Sequence, residues 1–162
     1  MRIGIVSDTH DDLDAARDAA DLFAGRVDAV VHCGDVVSPF TVAPFDADFD
    51  FHCVAGNNEG EPALVDAVEA VGTHHGECAE LAFDGRDVAV YHGTAGSLVD
   101  ALVASGSYDY VLHGHTHEHG HEERNGTVRI NPGGLPIPGA DDAFHVATLD
   151  TASGEVTFHV VG

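Results

Sequence analysis

Five short apolar runs along the chain each end at a polar residue that can bind a metal ion. The runs cover residues 3–7, 29–34, 51–56, 88–91 and 108–112. The metal-capable residues that follow them are, in chain order, Asp8 and His10, Asp35, Asn57, His92, and His115 and His117. In open α/β sheets, sites form at the carboxyl ends of the strands. The pattern therefore predicts that these seven side chains converge on one cleft.

The spacing of apolar residues and turns predicts the fold class. The first third of the chain alternates predicted strands with helices, whereas the remainder is rich in strands. Helices are predicted over residues 11–24, 61–70 and 96–105. The pairs Asp84-Gly85 and Asn125-Gly126 are typical of hairpin turns. We expect an α/β fold, a four-layer α/β/β/α sandwich of two mixed β-sheets flanked by helices, with residues 1–162 forming a single domain.

Several other residues have two interpretations. His32, His52, His74 and His75 lie on predicted strands or before turns, so a structural role is expected for them. His113 either orients a neighbouring ligand or closes its strand. The turn at residues 131–133 either supports the site from below or is a plain turn. Two further histidines, His119 and His121, lie on a predicted hairpin and are expected to face solvent.

The three cysteines are odd in number and widely spaced. They are Cys33, Cys53 and Cys78. This spacing favours buried small apolar side chains over a disulfide framework or a thiolate zinc site.

The charge of the chain is strongly negative. Aspartate and glutamate total 28 against six arginines and no lysine, which gives a formal net charge of −22. Disorder is one explanation of high charge, but 44% of the residues are hydrophobic and their periodicity is regular. We expect adaptation to a high-salt cytoplasm, since the Debye length is roughly 3 Å at 1 M salt. General binding of nucleic acid is not expected, because it needs basic patches.

No membrane or export signal is evident. No apolar run is long enough to span a bilayer, and residues 1–5 enter a predicted strand without the features of a signal peptide. A cytoplasmic location is therefore expected. The exposed strands of the second sheet would allow a homodimer, and the sequence leaves the oligomeric state open.

The seven converging side chains are too many for one ion and suit two. Carboxylates, an amide and imidazoles favour Mn²⁺, Fe or Zn²⁺. In two-metal sites the ions lie about 3.5–4 Å apart, hold the attacking and leaving oxygens, and generate hydroxide near neutral pH. This chemistry predicts phosphoester hydrolysis.

Five motifs in order also resemble the blocks of the calcineurin-like metallophosphoesterases. They are Asp8-Thr9-His10, Gly34-Asp35, Gly56-Asn57, His92-Gly93 and Gly114-His115-Thr116-His117. Their spacing, the short chain and the segment Ile130-Asn131-Pro132-Gly133 are most similar to the small archaeal and bacterial phosphodiesterase branch. The resemblance covers nearly the whole chain.

The resemblance implies a role for each position. One ion would be held by Asp8, His10 and His117 and the other by Asn57, His92 and His115, with Asp35 bridging them. A hydroxide between the ions would attack a small phosphodiester without a covalent enzyme intermediate. Mn²⁺ is expected first, with Fe, Zn²⁺, Ni²⁺ or Mg²⁺ as alternatives. The expected catalytic residues are Asp35, Asn57, Asn58 and His92.

Two positions depart from the family pattern. Asn58 stands where many relatives have a histidine that contacts the phosphate, and an amide cannot donate a proton as a general acid. This favours esters with good leaving groups and predicts a slow enzyme. Thr94 stands where close relatives often have another histidine, and it is not expected to be a ligand.

Two other functions compete with this prediction. The first is a weak or inactive metal-binding scaffold that acts through a partner surface, since a fold does not fix an activity and the superfamily includes a retromer subunit of this kind. The second is a broad phosphomonoesterase. The motifs recognise phosphate and do not identify the physiological substrate.

Overall fold

A computed structural model describes all 162 residues of the chain. The three helices are α1 (Leu13–Phe23), α2 (Ala63–Val71) and α3 (Gly96–Ser105), and two short 3₁₀ turns follow β2, at Pro39–Thr41 and Ala43–Phe45. The strands are β1 (Arg2–Val6), β2 (Ala29–His32), β3 (Asp50–Cys53), β4 (Thr73–His74), β5 (Cys78–Phe83), β6 (Arg86–Tyr91), β7 (Tyr110–Leu112), β8 (Gly120–Arg124), β9 (Thr127–Asn131), β10 (His145–Asp150) and β11 (Glu155–Val160).

The strands form two sheets, and each sheet is mixed. The six-stranded sheet has the order β11-β10-β1-β2-β3-β4, in which β1 to β4 are parallel and β10 pairs antiparallel with both β1 and β11. The five-stranded sheet has the order β5-β6-β7-β9-β8, with β6, β7 and β9 parallel and both edge strands antiparallel. The carboxyl ends of β1, β2 and β3 in one sheet, and of β6 and β7 in the other, therefore supply the loops predicted to converge.

The apolar side chains occupy three layers. Ile5 and Leu112 belong to the core between the two sheets. Phe23 of α1 and Leu64 of α2 pack in a second core on the outer face of the six-stranded sheet. Val103 of α3 packs in a third, smaller core with residues of β6 and β7. Because both faces of the central strands are covered, these strands are apolar almost throughout. The predicted four-layer α/β/β/α sandwich is confirmed.

Local signals set the bounds of the first helix. The carboxylate of Asp12 accepts hydrogen bonds from the backbone N–H groups of Asp14 and Ala15, so α1 begins at Leu13 rather than at residue 11. Gly25 has a φ of +67°, the left-handed conformation that ends many helices.

The prediction for the cysteines is correct at two positions and wrong at the third. All three thiols are free; Cys33 and Cys53 are buried, but Cys78 is exposed. Cys78 begins the edge strand β5, in which alternate residues face solvent. The alternation places it on the outer side, because side chains along a strand point to opposite faces in turn.

None of the three α-helices has the length and hydrophobicity needed to cross a bilayer.

Candidate metal centre

The loops that follow β1 and β2 are held together by backbone hydrogen bonds. The N–H of Asp8 donates to the carbonyl of Gly34 at 3.0 Å, and the N–H of His10 donates to that of Asp35 at 2.8 Å. Two further bonds join the sheets. The N–H of His115 donates to Asp8 Oδ2 at 2.9 Å, and His92 Nδ1 lies 2.8 Å from the carbonyl of Cys33. The strand ends of both sheets therefore meet as the sequence predicted.

A first group of donor atoms consists of Asp8, His10 and His117, whose ligand atoms lie within 4.8 Å of one another. His117 Nε2 lies 3.3 Å from Asp8 Oδ1 and 3.4 Å from His10 Nε2. His117 Nδ1 donates to the carbonyl of Leu135 at 2.7 Å. Because this bond places the proton on Nδ1, the lone pair of Nε2 points toward the group.

A second group consists of Asp8, Asp35 and His92, with the same 4.8 Å limit. His92 Nε2 lies 3.4 Å from Asp35 Oδ2 and 3.9 Å from Asp8 Oδ1. The bond from His92 Nδ1 to the Cys33 carbonyl leaves Nε2 available, as in His117. Asp8 is a member of both groups, so its carboxylate lies at their junction.

Two buried polar atoms of the centre have no hydrogen-bond partner, namely Asp8 Oδ1 and His92 Nε2. The other oxygen of Asp8 accepts bonds from Ser7 Oγ at 2.6 Å and from the N–H of His115. The Asp8 carboxylate is thus fixed with its unpartnered oxygen toward both groups. Leaving a buried polar atom unpaired costs about 1–3 kcal/mol. A carboxylate oxygen and an imidazole nitrogen suit a divalent cation, so the donor set fits a metal centre.

The remaining two predicted ligands lie at the margin of the two groups. The ring of His115 packs edge-to-face against that of His92, with centroids 5.3 Å apart. Asn57 is exposed, and its Oδ1 accepts a hydrogen bond from Thr94 Oγ1 at 3.3 Å. Thr94 therefore contacts a predicted ligand. The structure joins five of the predicted residues in the two groups, Asp8, His10, Asp35, His92 and His117.

Most of the predicted ligands have an unusual backbone conformation. The φ angle is positive at Asp8, His10, Asp35, His115 and His117, between +48° and +71°. This left-handed conformation costs L-residues roughly 1–2 kcal/mol each, and such residues cluster at functional sites. Each of these residues follows a strand, and four of them belong to the two donor groups, namely Asp8, His10, Asp35 and His117.

A family model for the calcineurin-like phosphoesterase superfamily domain matches residues 1–154 of the chain. The chain belongs to this superfamily. The predicted family resemblance is confirmed, and the phosphodiesterase relatives support the expected class of enzyme, a phosphoric ester hydrolase.

The relatives of this phosphoesterase agree with that assignment. This chain is 36% identical to phosphodiesterase MJ0936 of Methanocaldococcus jannaschii over 139 residues, which cover 82% of this chain and 83% of the relative. A solved structure of an archaeal phosphodiesterase is 33% identical, with a TM-score of 0.90 over 99% of both chains. Vacuolar protein sorting 29 of Cryptosporidium parvum shares the fold at 19% identity, with a TM-score of 0.69 over 98% of this chain and 95% of that one.

Charged groups in the centre of the phosphoesterase change one another's proton affinity. Burial disfavours the charged form of Asp35, but the neighbouring imidazole of His92 and the hydrogen bonds from Asn58 outweigh it and hold the pKa of Asp35 far below its usual range. Burial likewise disfavours charged His92, yet the nearby carboxylates of Asp35 and Asp8 raise its pKa. The centre therefore favours the ionised form of Asp35.

Asn58 acts on Asp35 in this structure. Its backbone N–H donates to Asp35 Oδ1 at 2.9 Å, and its side-chain amide donates to Asp35 Oδ2 at 2.6 Å. Both oxygens of the carboxylate are therefore oriented by one residue. The sequence alone shows that Asn58 replaces a phosphate-contacting histidine, whereas its contact with Asp35 depends on the fold.

Glu59 supports the loops of the centre, although no motif in the sequence marks it. Its carboxylate accepts the backbone N–H of Val36 at 2.9 Å and also that of Gly56. Val36 follows Asp35 and Gly56 precedes Asn57, so one side chain joins two of the ligand-bearing loops. One sequence feature points to Glu59. It is an acidic residue directly after Gly56-Asn57-Asn58, in a turn whose backbone N–H groups have no partner in a strand.

Two ambiguous segments now have assignments. His32 is buried; its Nδ1 accepts from the N–H of Gly34 at 3.2 Å, and its Nε2 bonds to Thr9 Oγ1 at 2.9 Å. It therefore has the expected structural role, which is to join the loops after β1 and β2. Asn131 Nδ2 donates to the carbonyl of Gly114 at 3.1 Å and to Thr116 Oγ1 at 2.9 Å. The turn at 131–133 thus supports the ligand-bearing loop.

His113 closes its strand and does not bond to a predicted ligand. Its Nδ1 lies 3.3 Å from the carbonyl of Gly114. Burial lowers the pKa of His113 to about 4, so the ring is neutral at physiological pH.

Proposed function

We propose that this phosphoesterase is a metal-dependent phosphodiesterase that binds two divalent ions and hydrolyses a small phosphodiester. The observation that carries the proposal is the pair of buried, unpartnered donor atoms, Asp8 Oδ1 and His92 Nε2, where the two donor groups meet. The similarity to phosphodiesterase MJ0936 over most of both chains supports the reaction class. The proposal treats residues 1–162 as one catalytic domain.

The proposed ligands are divided between two ions. Asp8, His10 and His117 hold the first ion, which agrees with the first donor group. The second ion is held by Asn57, His92 and His115, with Asp35 between the two. Mn²⁺ is the proposed metal, because oxygen and imidazole donors without thiolates suit it; Fe, Zn²⁺, Ni²⁺ and Mg²⁺ are alternatives. When bound, the ions supply a hydroxide nucleophile and neutralise the phosphate oxygens.

The side chains around the ligands determine what else the site does. Asn58 holds both oxygens of Asp35, which fixes the carboxylate for ligation. The amide of Asn58 can donate a hydrogen bond but cannot act as a general acid toward a leaving group. The proposed substrate is therefore a diester whose leaving group needs little protonation, and the expected turnover is slow.

The rival scaffold function receives less support than the phosphodiesterase. The fold shared with vacuolar protein sorting 29 shows only that this architecture occurs in that protein. A metal-binding scaffold would need the same donor atoms, but the 36% identity to phosphodiesterase MJ0936 over most of both chains favours the enzyme. The phosphomonoesterase alternative shares the same centre and differs in substrate alone.

We further propose that the enzyme works in a cytoplasm of high salt concentration. The formal net charge of −22 produces strong repulsion at low ionic strength. Screening by molar salt removes most of that repulsion. Assays therefore belong in molar KCl.

The test compares hydrolysis of bis-p-nitrophenyl phosphate with that of p-nitrophenyl phosphate, with Mn²⁺ and with a chelator. Asp35→Ala and His92→Ala are compared with the exposed control His121→Ala. We expect diesterase activity that requires metal and is lost in the first two variants only. Faster hydrolysis of the monoester would favour the phosphomonoesterase. A folded wild-type protein that binds two ions and hydrolyses neither ester would favour the scaffold.

A further inference from the structure

A second cluster of metal-capable side chains lies outside the candidate centre. It consists of His119, Asp141 and His145, whose donor atoms lie within 4.8 Å of one another. Asp141 Oδ2 is 2.7 Å from His119 Nδ1 and 3.5 Å from His145 Nδ1. The three residues come from the loop before β8, the loop before β10 and the start of β10. The proposed hydrolysis uses none of them.

The cluster is held in place by its surroundings. The backbone N–H of His119 donates to Asp141 Oδ2 at 2.7 Å. The rings of His119 and His145 stack with centroids 4.1 Å apart and planes 17° apart, and Phe158 packs against His119. The Asp141 and His145 side chains are only 18% and 14% exposed. Packing restricts all three side chains, and because an imidazole lone pair lies in the plane of its ring, one of the two stacked rings must turn for both nitrogens to face one ion.

The donor separations suit a small cation. Bonds of 2.0–2.1 Å in a tetrahedral site place neighbouring donors roughly 3.3 Å apart, and the two carboxylate–imidazole distances, 2.7 and 3.5 Å, lie on either side of this value. His145 Nδ1 is also 2.8 Å from the carbonyl of Ala143. An ion would therefore displace the protons that His119 Nδ1 shares with Asp141 and that His145 Nδ1 shares with Ala143, as metals do when they bind histidine.

We propose that His119, Asp141 and His145 form a separate site for one divalent transition ion of the Zn²⁺ type. Two imidazoles and a carboxylate are a frequent zinc donor set, with the fourth position filled by solvent. The side chain of His119 is 36% exposed, which leaves an approach for the ion and for that solvent molecule. The negative field of the chain raises the local concentration of cations.

The test counts bound Zn²⁺ by titration against a chromophoric chelator and by elemental analysis. The wild type and the double variant Asp8→Asn/Asp35→Asn, which is weakened at the candidate centre, each serve as a parent. Adding His145→Ala to either parent is expected to weaken the binding of one ion at least tenfold, so that the count of tightly bound Zn²⁺ falls by one. The control variant is His121→Ala, which removes a neighbouring exposed histidine and should leave the ion count of its parent unchanged. Equal ion counts in parent and His145→Ala would overturn the proposal and leave a hydrogen-bonded cluster only.

A second readout covers the case in which a variant folds poorly. Co²⁺ added to the double variant should give the visible absorption of a four- or five-coordinate ion, and Zn²⁺ should raise its melting temperature. His119→Ala and His145→Gln change separate segments, and each should abolish both effects while circular dichroism stays native. Unchanged Co²⁺ absorption in two folded variants would also overturn the proposal. Because the cluster shares no residue with the candidate centre, this result does not depend on the proposed phosphodiesterase activity.

Discussion

The candidate centre and the His119–Asp141–His145 cluster both place a carboxylate between imidazoles, yet they differ in burial and bonding. Asp8 is 0% exposed, and two donor atoms of the centre have no partner. In the cluster, the Nδ1 atoms of both histidines have oxygen neighbours, and His119 is exposed. A buried unpaired donor is costly, and a cation bound at the centre would remove that cost. In the cluster, hydrogen bonds already satisfy these nitrogen atoms, and an ion can replace the protons that form the bonds.

The largest expected effect comes from removing a charge within the centre. Asp35→Asn keeps the shape of the side chain but deletes the charge beside His92, and we expect kcat to fall roughly 10³-fold, since metal and charge stabilisation supply much of the rate. The exposed variant Asp142→Asn is the matched control. Steady-state hydrolysis of the diester measures both. Near-normal turnover in Asp35→Asn would remove Asp35 from the mechanism.

Two neighbouring glycines allow the centre and the cluster to be disturbed separately. A Cβ at Gly134 would lie 2.6 Å from Asp8 Cβ and 3.0 Å from His117 Nδ1, whereas one at Gly133 would lie 3.1 Å from His145 Cβ. We expect Gly134→Ala to lower activity about 10²-fold by misplacing ligands. Gly133→Ala, at a φ of +93°, should instead weaken Zn²⁺ binding in the double variant. If both variants affected the same property equally, the distinction between the two regions would be wrong.

A smaller effect is expected at Glu59, which supports the centre without belonging to it. Glu59→Gln replaces one of the two acceptor oxygens by an amide, so one of the N–H groups of Val36 and Gly56 loses its partner. Loss of a supporting bond typically lowers metal affinity 10–100-fold, and we expect the lower part of that range. Metal titration of Glu59→Gln beside Glu61→Gln, which is exposed, measures the change. Identical affinities in the two variants would deny Glu59 a positioning role.

The smallest expected effect concerns pH and the buried His32 beneath the centre. Burial lowers the pKa of His32 from 6.5 to about 3. As the pH falls, His32 therefore takes up a proton in the unfolded chain before it does so in the folded protein. The contribution of neutral His32 to the free energy of unfolding is complete above pH 6.5 and is lost progressively below it. The loss is about 1.4 kcal/mol for each pH unit below that value. Urea unfolding at pH 7.5 and 5.5 should show this loss in the wild type and less of it in His32→Gln; equal losses would contradict the prediction.

The sequence predicts the fold and the main ligands because both depend on local patterns. Apolar runs identify the strands, hairpin turns such as Asn125-Gly126 fix the pairing, and the residue after each strand is a candidate ligand. The supports of the centre depend on contacts between distant segments. Glu59 bonds to Val36 across 23 residues, and His119 bonds to Asp141 across 22. Cys78 was misjudged because a sequence does not show which strand lies at the edge of a sheet.

The ligands of the centre come from both sheets, and this has a consequence for folding kinetics. The bond from the N–H of His115 to Asp8 joins residues 107 positions apart, between β1 of one sheet and β7 of the other. Such distant contacts form late, because closing a long loop costs entropy before the contact is made. An ion held there should therefore act mainly on the unfolding rate, and little on the folding rate. Chelation would shorten the lifetime of the native state, so occupancy of the centre would decide how long each molecule survives as well as whether it can react.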